Sequence, residues 1–155
     1  MKIRRAKIKD AGLMSRLVKR TIVKINGPFY SQRQISAWKK SISAAGYRKR
    51  IRAGSRFILA AEEKGLMMGM GVLNAEKKMI TGMYVSCGQI RRGIGRKIIR
   101  VLEKQAKKRK IKKLALNSSL SATEFYKKMG YRWIKKTAIK MGGIKIPCVL
   151  MNKKI

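Results

Sequence analysis

Hydrophobic positions along this chain switch between two periods, and the switches mark its elements. Lys2 to Ile8 reads as a strand. Met14, Leu17, Val18, Thr21, Ile22 and Ile25 then recur every three or four residues, the stripe of an amphipathic helix. Asp10 stands where that helix takes its N-cap, and Asn26-Gly27-Pro28 ends it. Ser31 and Gln34 make a capping box that opens a second helix, with Ile35, Trp38, Ile42 and Ala45 turned inward. Gly54-Ser55 breaks the chain. Three short apolar runs follow, Phe57–Ala61, Leu66–Leu73 and Met79–Val85, separated by the turns Glu62–Gly65 and Asn74–Lys78; these predict strands. Ile94, Ile98, Val101, Leu102 and Ala106 restore helical spacing. Beyond them come a strand at 112–117, a helix carrying Tyr126 that Gly130 terminates, and strands at 131–140 and 144–151 joined by Gly142-Gly143.

Antiparallel hairpins early and a strand–helix–strand crossover in the middle predict an α/β fold. Its sheet is mixed and mostly antiparallel, with helices on both faces. At 155 residues the chain reads as a single domain, 1–155, large enough for a substantial core.

Chemistry concentrates first at Gln89-Ile90-Arg91-Arg92-Gly93-Ile94-Gly95-Arg96, between the 79–85 strand and the long helix. A strand feeding a Gly turn that opens a helix aims backbone N–H groups and the helix N-terminal dipole at one spot, which suits a phosphate. Arg91, Arg92 and Arg96 add positive charge there. The turn is neither GxGxxG nor GxxxxGK[ST], so the two common nucleotide loops are excluded.

Ile90-Arg91-Arg92-Gly93-Ile94-Gly95 resembles the R/Q-x-x-G-x-G/A loop of the GCN5-related N-acetyltransferases. Asn117 at a strand end, followed by Phe125-Tyr126-Lys127-Lys128-Met129-Gly130-Tyr131, resembles that family's second signature. Tyr30-Ser31-Gln32-Arg33-Gln34-Ile35-Ser36-Ala37-Trp38 is similar to the Y-S-x-x-Q-[IV]-x-x-W helix of one branch. The resemblance implies acetyl-CoA as co-substrate, no metal, and a cleft where the 79–85 and 112–117 strands splay. It implies that Arg91, Arg92, Gly93, Ile94, Gly95 and Arg96 hold the pyrophosphate. The backbone of Met83, Tyr84 and Val85 would pair with pantetheine and give an N–H to the thioester oxygen. Asn117 would bind the cofactor or an ordered water, and Tyr126 would be the general acid, its phenol being protonated at neutral pH. Lys127 and Lys128 would lie within reach of the adenosine 3′-phosphate.

The chain departs from the family pattern in three ways. Ile90 stands where Arg or Gln is usual, with Gln89 one place early; Cys87 replaces a frequent Pro; and the 79–85 strand carries no acid, Met79 and Thr81 standing where relatives place carboxylates. Glu76 and Glu124 are the nearest acids in sequence. Without a base, an α-amino group with pKa about 8 is a better acceptor than a lysine near 10.4.

Charge then qualifies the picture. The chain has 41 Lys and Arg against 6 Asp and Glu, formally +35, spread along its length and densest between Lys104 and Lys113. Two readings of it stay open: a solvated lysine-rich surface, and polyanion binding, up to a nucleic-acid or ribosome-associated protein on the same fold. Like-charge repulsion disfavours polyamines, aminoglycosides and basic peptides as acceptors, leaving small-molecule or peptide amines that are neutral or anionic. With no His and two cysteines, Cys87 and Cys148, zinc clusters and His-based catalysis are excluded, while a Cys87–Cys148 disulfide stays open. No run of 18 apolar residues and no signal peptide is read, so a cytoplasmic protein is expected, with a homodimer left open.

Overall fold

In the computed structural model, which describes residues 1–155, seven strands build one sheet. They are β1 (Lys2–Arg5), β2 (Phe57–Glu63), β3 (Leu66–Asn74), β4 (Met79–Val85), β5 (Lys113–Ser118), β6 (Arg132–Met141) and β7 (Ile144–Lys154). Across the sheet the order is β1-β2-β3-β4-β5-β7-β6. Every neighbouring pair is antiparallel except β4 with β5. Five α-helices complete the chain: α1 (Ala11–Thr21), α2 (Gln32–Lys40), α3 (Ala44–Ala53), α4 (Ile94–Lys108) and α5 (Thr123–Lys128). The expected mixed, mostly antiparallel sheet is present.

Period-two alternation divides the core between the faces. On β2, Leu59 joins Ile98, Ile99 and Leu102 of α4, while its neighbour Ile58 joins Met14 and Val18 of α1 and Trp38 of α2. The α4 helix lies directly on the sheet: a Cβ on Gly71 would sit 2.9 Å from Ile98 Cγ2 and 3.0 Å from Leu102 Cδ1. That contact fixes where the N-terminus of α4 emerges, and so where the candidate phosphate site lies.

Several expected boundaries move. β1 stops at Arg5. Asp10 is not a side-chain cap for α1. Its carboxylate instead accepts Arg4 Nη1 at 2.7 Å, Arg4 Nη2 at 3.0 Å and the Lys7 N–H at 2.7 Å. An ionised guanidinium is a stronger partner than a neutral helix N–H. The first helix ends at Thr21 and continues as one π-helical stretch, Ile22–Asn26. The single helix expected from Ser31 to Ala45 is two helices, α2 and α3. Its Ser31–Gln34 capping box is formed, but Ser41 turns its hydroxyl back to Trp38 O at 2.6 Å and Ser43 caps α3 at the Gly46 N–H. Serine hydroxyls compete locally with the helical ladder, and here two of them end one helix and start the next. Gly130 does terminate α5, with φ +89° and the paired bonds Gly130 N–H to Lys127 O and Tyr131 N–H to Tyr126 O. Cys87 and Cys148 are both free thiols, so the disulfide left open by the sequence is not formed.

The parallel contact between β4 and β5 is short. Only Met79–Ala115 and Ile80–Leu116 are paired, and β3 and β4 slip register between Val72 and Leu73, which leaves Thr81 opposite no β3 residue. From Thr81 onward β4 leaves β5 behind. The splay expected from the family resemblance is therefore in the sheet itself.

Candidate active site

A cavity of about 600 Å³ opens where β4 and β5 part. It is lined from both faces of the sheet: by Gly93, Gly95, Phe125 and Tyr126 on the α4–α5 side, and by Thr21, Ile25, Asn26 and Trp38 on the α1–α2 side. A passage through a sheet lets two molecules meet from opposite faces. Its size is that of an ordinary ligand site.

On the α4 side, Gly93 is the residue before the helix and adopts φ +74°, ψ 7°. This left-handed conformation favours Gly, and no neighbouring atom lies within 4 Å of where its Cβ would stand. No side chain caps the helix start, leaving the first-turn N–H groups of a 15-residue helix unclaimed. Arg91 (φ +65°) and Arg96 line the cavity beside it. Charge, dipole and open backbone converge there, and the residues present suit a pyrophosphate. Arg92 does not join them. It bonds Gln89 Oε1 and reaches Glu63 Oε2, at the end of β2, at 3.4 Å, and is not among the residues that line the cavity. Gly95 is not a surface position: its Cβ would lie 3.2 Å from Phe125 Cζ and 3.3 Å from Cε2. The first glycine serves conformation, the second packing against α5.

Met83, Tyr84, Val85, Ile94, Asn117 and Tyr126 also line the cavity. The β4 edge that would face β5 is unpaired past Ile80, so its backbone is turned to the cavity rather than to a neighbouring strand. Tyr126 is 6% exposed, stacked edge-on between Phe125 (5.2 Å) and Tyr131 (5.8 Å). Burial pushes its phenol above the ordinary range, with Tyr84 reinforcing the shift. Burial also pushes Tyr84 up, to about 12. Asn117 lies exposed on β5, at the cavity wall. Lys127 pairs with Glu124 at 2.9 Å and does not line the cavity.

The α1–α2 half of the wall was not anticipated. Thr21 Oγ1 donates to Val85 O at 3.1 Å, and Asn26 Oδ1 accepts from Ser121 Oγ at 2.5 Å. Tyr30 donates its hydroxyl to Pro147 O at 2.7 Å and accepts the Leu120 N–H at 3.0 Å, pinning the 118–122 loop to β7. Tyr30 and Trp38 belong to the Y-S-x-x-Q-I-x-x-W segment, a signal that was available. Asn26 in Asn-Gly-Pro signalled only a helix end and Ile139 only a strand, while Met141, also in the wall, lies one residue past the expected strand. No three His, Cys, Asp or Glu side chains are grouped so as to hold a metal.

Comparison with known proteins agrees with this geometry. The model of the acetyltransferase (GNAT) domain matches residues 27–155, and the chain belongs to this family of acetyltransferases. Among solved structures, a GCN5-related N-acetyltransferase from Rhodopseudomonas palustris superposes with a TM-score of 0.92 at 24% identity, over 99% of this chain and 95% of that one. The PaiA N-acetyltransferase from Thermoplasma acidophilum, in complex with coenzyme A, gives 0.83 at 19% identity, over 99% and 98%. A ribosomal-protein-alanine N-acetyltransferase from Brucella melitensis gives 0.68 at 18% identity, over the whole of both chains. No curated protein matches the sequence.

Proposed function

We propose that the protein is an N-acetyltransferase that moves the acetyl group of acetyl-CoA directly to a primary amine. One observation carries this reading: a single through-sheet cavity collects the uncapped α4 N-terminus with Arg91 and Arg96, the unpaired β4 edge, and Tyr126. When bound, acetyl-CoA supplies an acetyl group activated as a thioester. The Gly93–Arg96 turn would hold its pyrophosphate through backbone N–H groups, so Ile90 in place of Arg or Gln weakens the loop without removing its means of binding. The backbone of Met83, Tyr84 and Val85 would orient the pantetheine arm and offer an N–H to the carbonyl oxygen, where charge develops. Asn117 would bind the arm or a water beside it. Tyr126, kept protonated by its burial, would donate its proton to the departing sulfur.

The thiols support direct transfer. Neither Cys87 nor Cys148 lines the cavity, and burial pushes the Cys148 thiol up, away from thiolate. The enzyme reading predicts that micromolar acetyl-CoA raises the melting temperature and that thiol is released when an amine is added. An acetyl group trapped on Cys87, seen by intact mass, would replace direct transfer with a covalent route. A second reading draws on the charge: only four of the 41 Lys and Arg side chains, Arg4, Arg92, Lys127 and Lys153, reach a carboxylate. A basic nucleic-acid or ribosome-associated protein would bind RNA with a steep salt slope and show no thermal response to acetyl-CoA.

A further inference from the structure

We propose that the acceptor is an aminoacyl α-amine with an apolar side chain, taken by a half-site that recognises it without charge. This rests on the N-acetyltransferase reading and names the substrate class of the same cavity. Assigned to the co-substrate are the α4 N-terminus, Arg91 and Arg96, which leaves the α1–α2 side of the passage for the acceptor. That side is walled by Ile25, Trp38, Tyr84, Ile139 and Met141, with Thr21 and Asn26 as further polar members.

No carboxylate lies anywhere in the cavity wall. Asp10 and Glu62 are held by Arg4, Glu63 by the amino terminus, Glu103 by Lys153 and Glu124 by Lys127; Glu76 sits in the β3–β4 turn. A second ammonium on a polyamine would thus enter the passage unpaired. A carboxylate on the acceptor would fare no better, since the wall's only cations stand at the co-substrate end. Burying either charge without a partner is strongly unfavourable, whereas an aliphatic or aromatic side chain meets matching walls.

The polar groups narrow the class further. The Thr21 hydroxyl proton is committed to Val85 O and Asn26 Oδ1 to Ser121. Asn26 is 4% exposed and lines the cavity; Ser121 occupies its amide oxygen and no protein acceptor is paired with its amide nitrogen, so the wall holds a donor left over. A carbonyl next to the amine would take that donor. The same carbonyl is what gives an aminoacyl amine its low basicity, pKa about 8 rather than about 10.4, and hence a useful neutral fraction with no base to help. The remaining titratable or charged groups in the wall are Tyr84, Tyr126, Arg91 and Arg96, and none of them is a base at neutral pH.

The test measures kcat/KM by thiol release with leucinamide, phenylalaninamide, aspartate α-amide, spermidine, 3-methylbutylamine and the tripeptide Leu-Gly-Gly, with acetyl-CoA thermal shift in parallel. Leucinamide and phenylalaninamide should exceed aspartate α-amide and spermidine by about tenfold or more. Leu-Gly-Gly then tells a peptide terminus from a free amino-acid derivative. Asn26→Ala should lower kcat/KM several-fold more for leucinamide than for 3-methylbutylamine, which lacks the carbonyl; an equal loss on both would reduce Asn26 to a brace for Ser121 and overturn its recognition role. Ile139→Glu, on an edge strand, should shift preference toward spermidine. Spermidine or aspartate α-amide turned over as well as leucinamide by the wild-type chain would overturn the acceptor class. So would acetyl-CoA binding with no turnover of either apolar amide. No response to acetyl-CoA at all would bring down the N-acetyltransferase reading itself, and this proposal with it.

Discussion

At the scale of single residues, the general-acid role proposed for Tyr126 can be tested apart from binding. Its ring packs between Phe125 and Tyr131, so Tyr126→Phe preserves the stack and removes only the hydroxyl. Acetyl-CoA affinity, read by thermal shift, should change little. Turnover should fall by roughly 10²- to 10⁴-fold where chemistry limits the rate, the usual worth of a general acid. Full turnover in that variant would remove Tyr126 from the mechanism. The pH dependence has a definite sign. Both Tyr126 and Tyr84 are pushed upward by burial, so neither loses its proton below about pH 10. With no base in the cavity, kcat/KM should rise with pH to a plateau whose midpoint is the acceptor's own pKa. Changing the acceptor should move the midpoint, while a fixed midpoint across acceptors would reveal an ionisable enzyme group in control.

At the scale of elements, the strand–turn–helix between β4 and α4 separates conformation from packing. Gly95 touches Phe125, so replacing it with Asp would disturb α5 as well as the anion site, and loss of binding would be ambiguous. Gly93 is the cleaner probe. Its Cβ position is open, and Asn and Asp tolerate the left-handed region better than other residues and cap helices well. Gly93→Asn and Gly93→Asp should therefore both fold with melting temperatures within a few degrees of each other. Only Asp places a negative charge where a pyrophosphate would sit, which predicts an acetyl-CoA Kd at least about tenfold weaker than for Asn, measured by calorimetry. Equal affinities would remove the phosphate site from this turn.

At the scale of the whole molecule, net charge opposes the compact state. A formal +35 on 155 residues repels itself, so added salt should stabilise the fold. Raising NaCl from about 0.01 M to about 0.5 M shortens screening from about 30 Å to a few ångströms, and the melting temperature should rise by several degrees in calorimetry. Acid should act oppositely. Arg4 holds Asp10 and Glu62 below their usual pKa values, and the amino terminus holds Glu63 down. A carboxylate lowered by folding stabilises above its unfolded pKa, about 4, and that contribution disappears as pH falls through the folded value. The melting temperature should therefore hold above about pH 5 and drop steeply below about pH 4.

Much of this was legible along the chain, for a physical reason: strand and helix periods, capping boxes and Gly turns are local. The run Met79–Val85 and its hand-over to α4 through Gly93 could be placed from neighbours alone, and with them the wall containing Tyr126. The Ser31–Gln34 box was equally readable, but not the break after Lys40, which depends on two serines turning to the backbone. Competition between partners could not be read. Asp10 is a plausible N-cap until Arg4, close in sequence but on β1, takes its carboxylate, and Arg92 is a plausible phosphate ligand until its neighbour Gln89 and the distant Glu63 engage it. The proposed acceptor side is tertiary: Ile139 lies far in sequence from Asn26 and Trp38 and shares a cavity with them only because the splay of β4 from β5 opens the sheet between them. Local periodicity determined which elements form and what chemistry each carries. Packing alone decided which of those side chains face the same space, because that depends on counter-charges and strand pairings from distant parts of the chain.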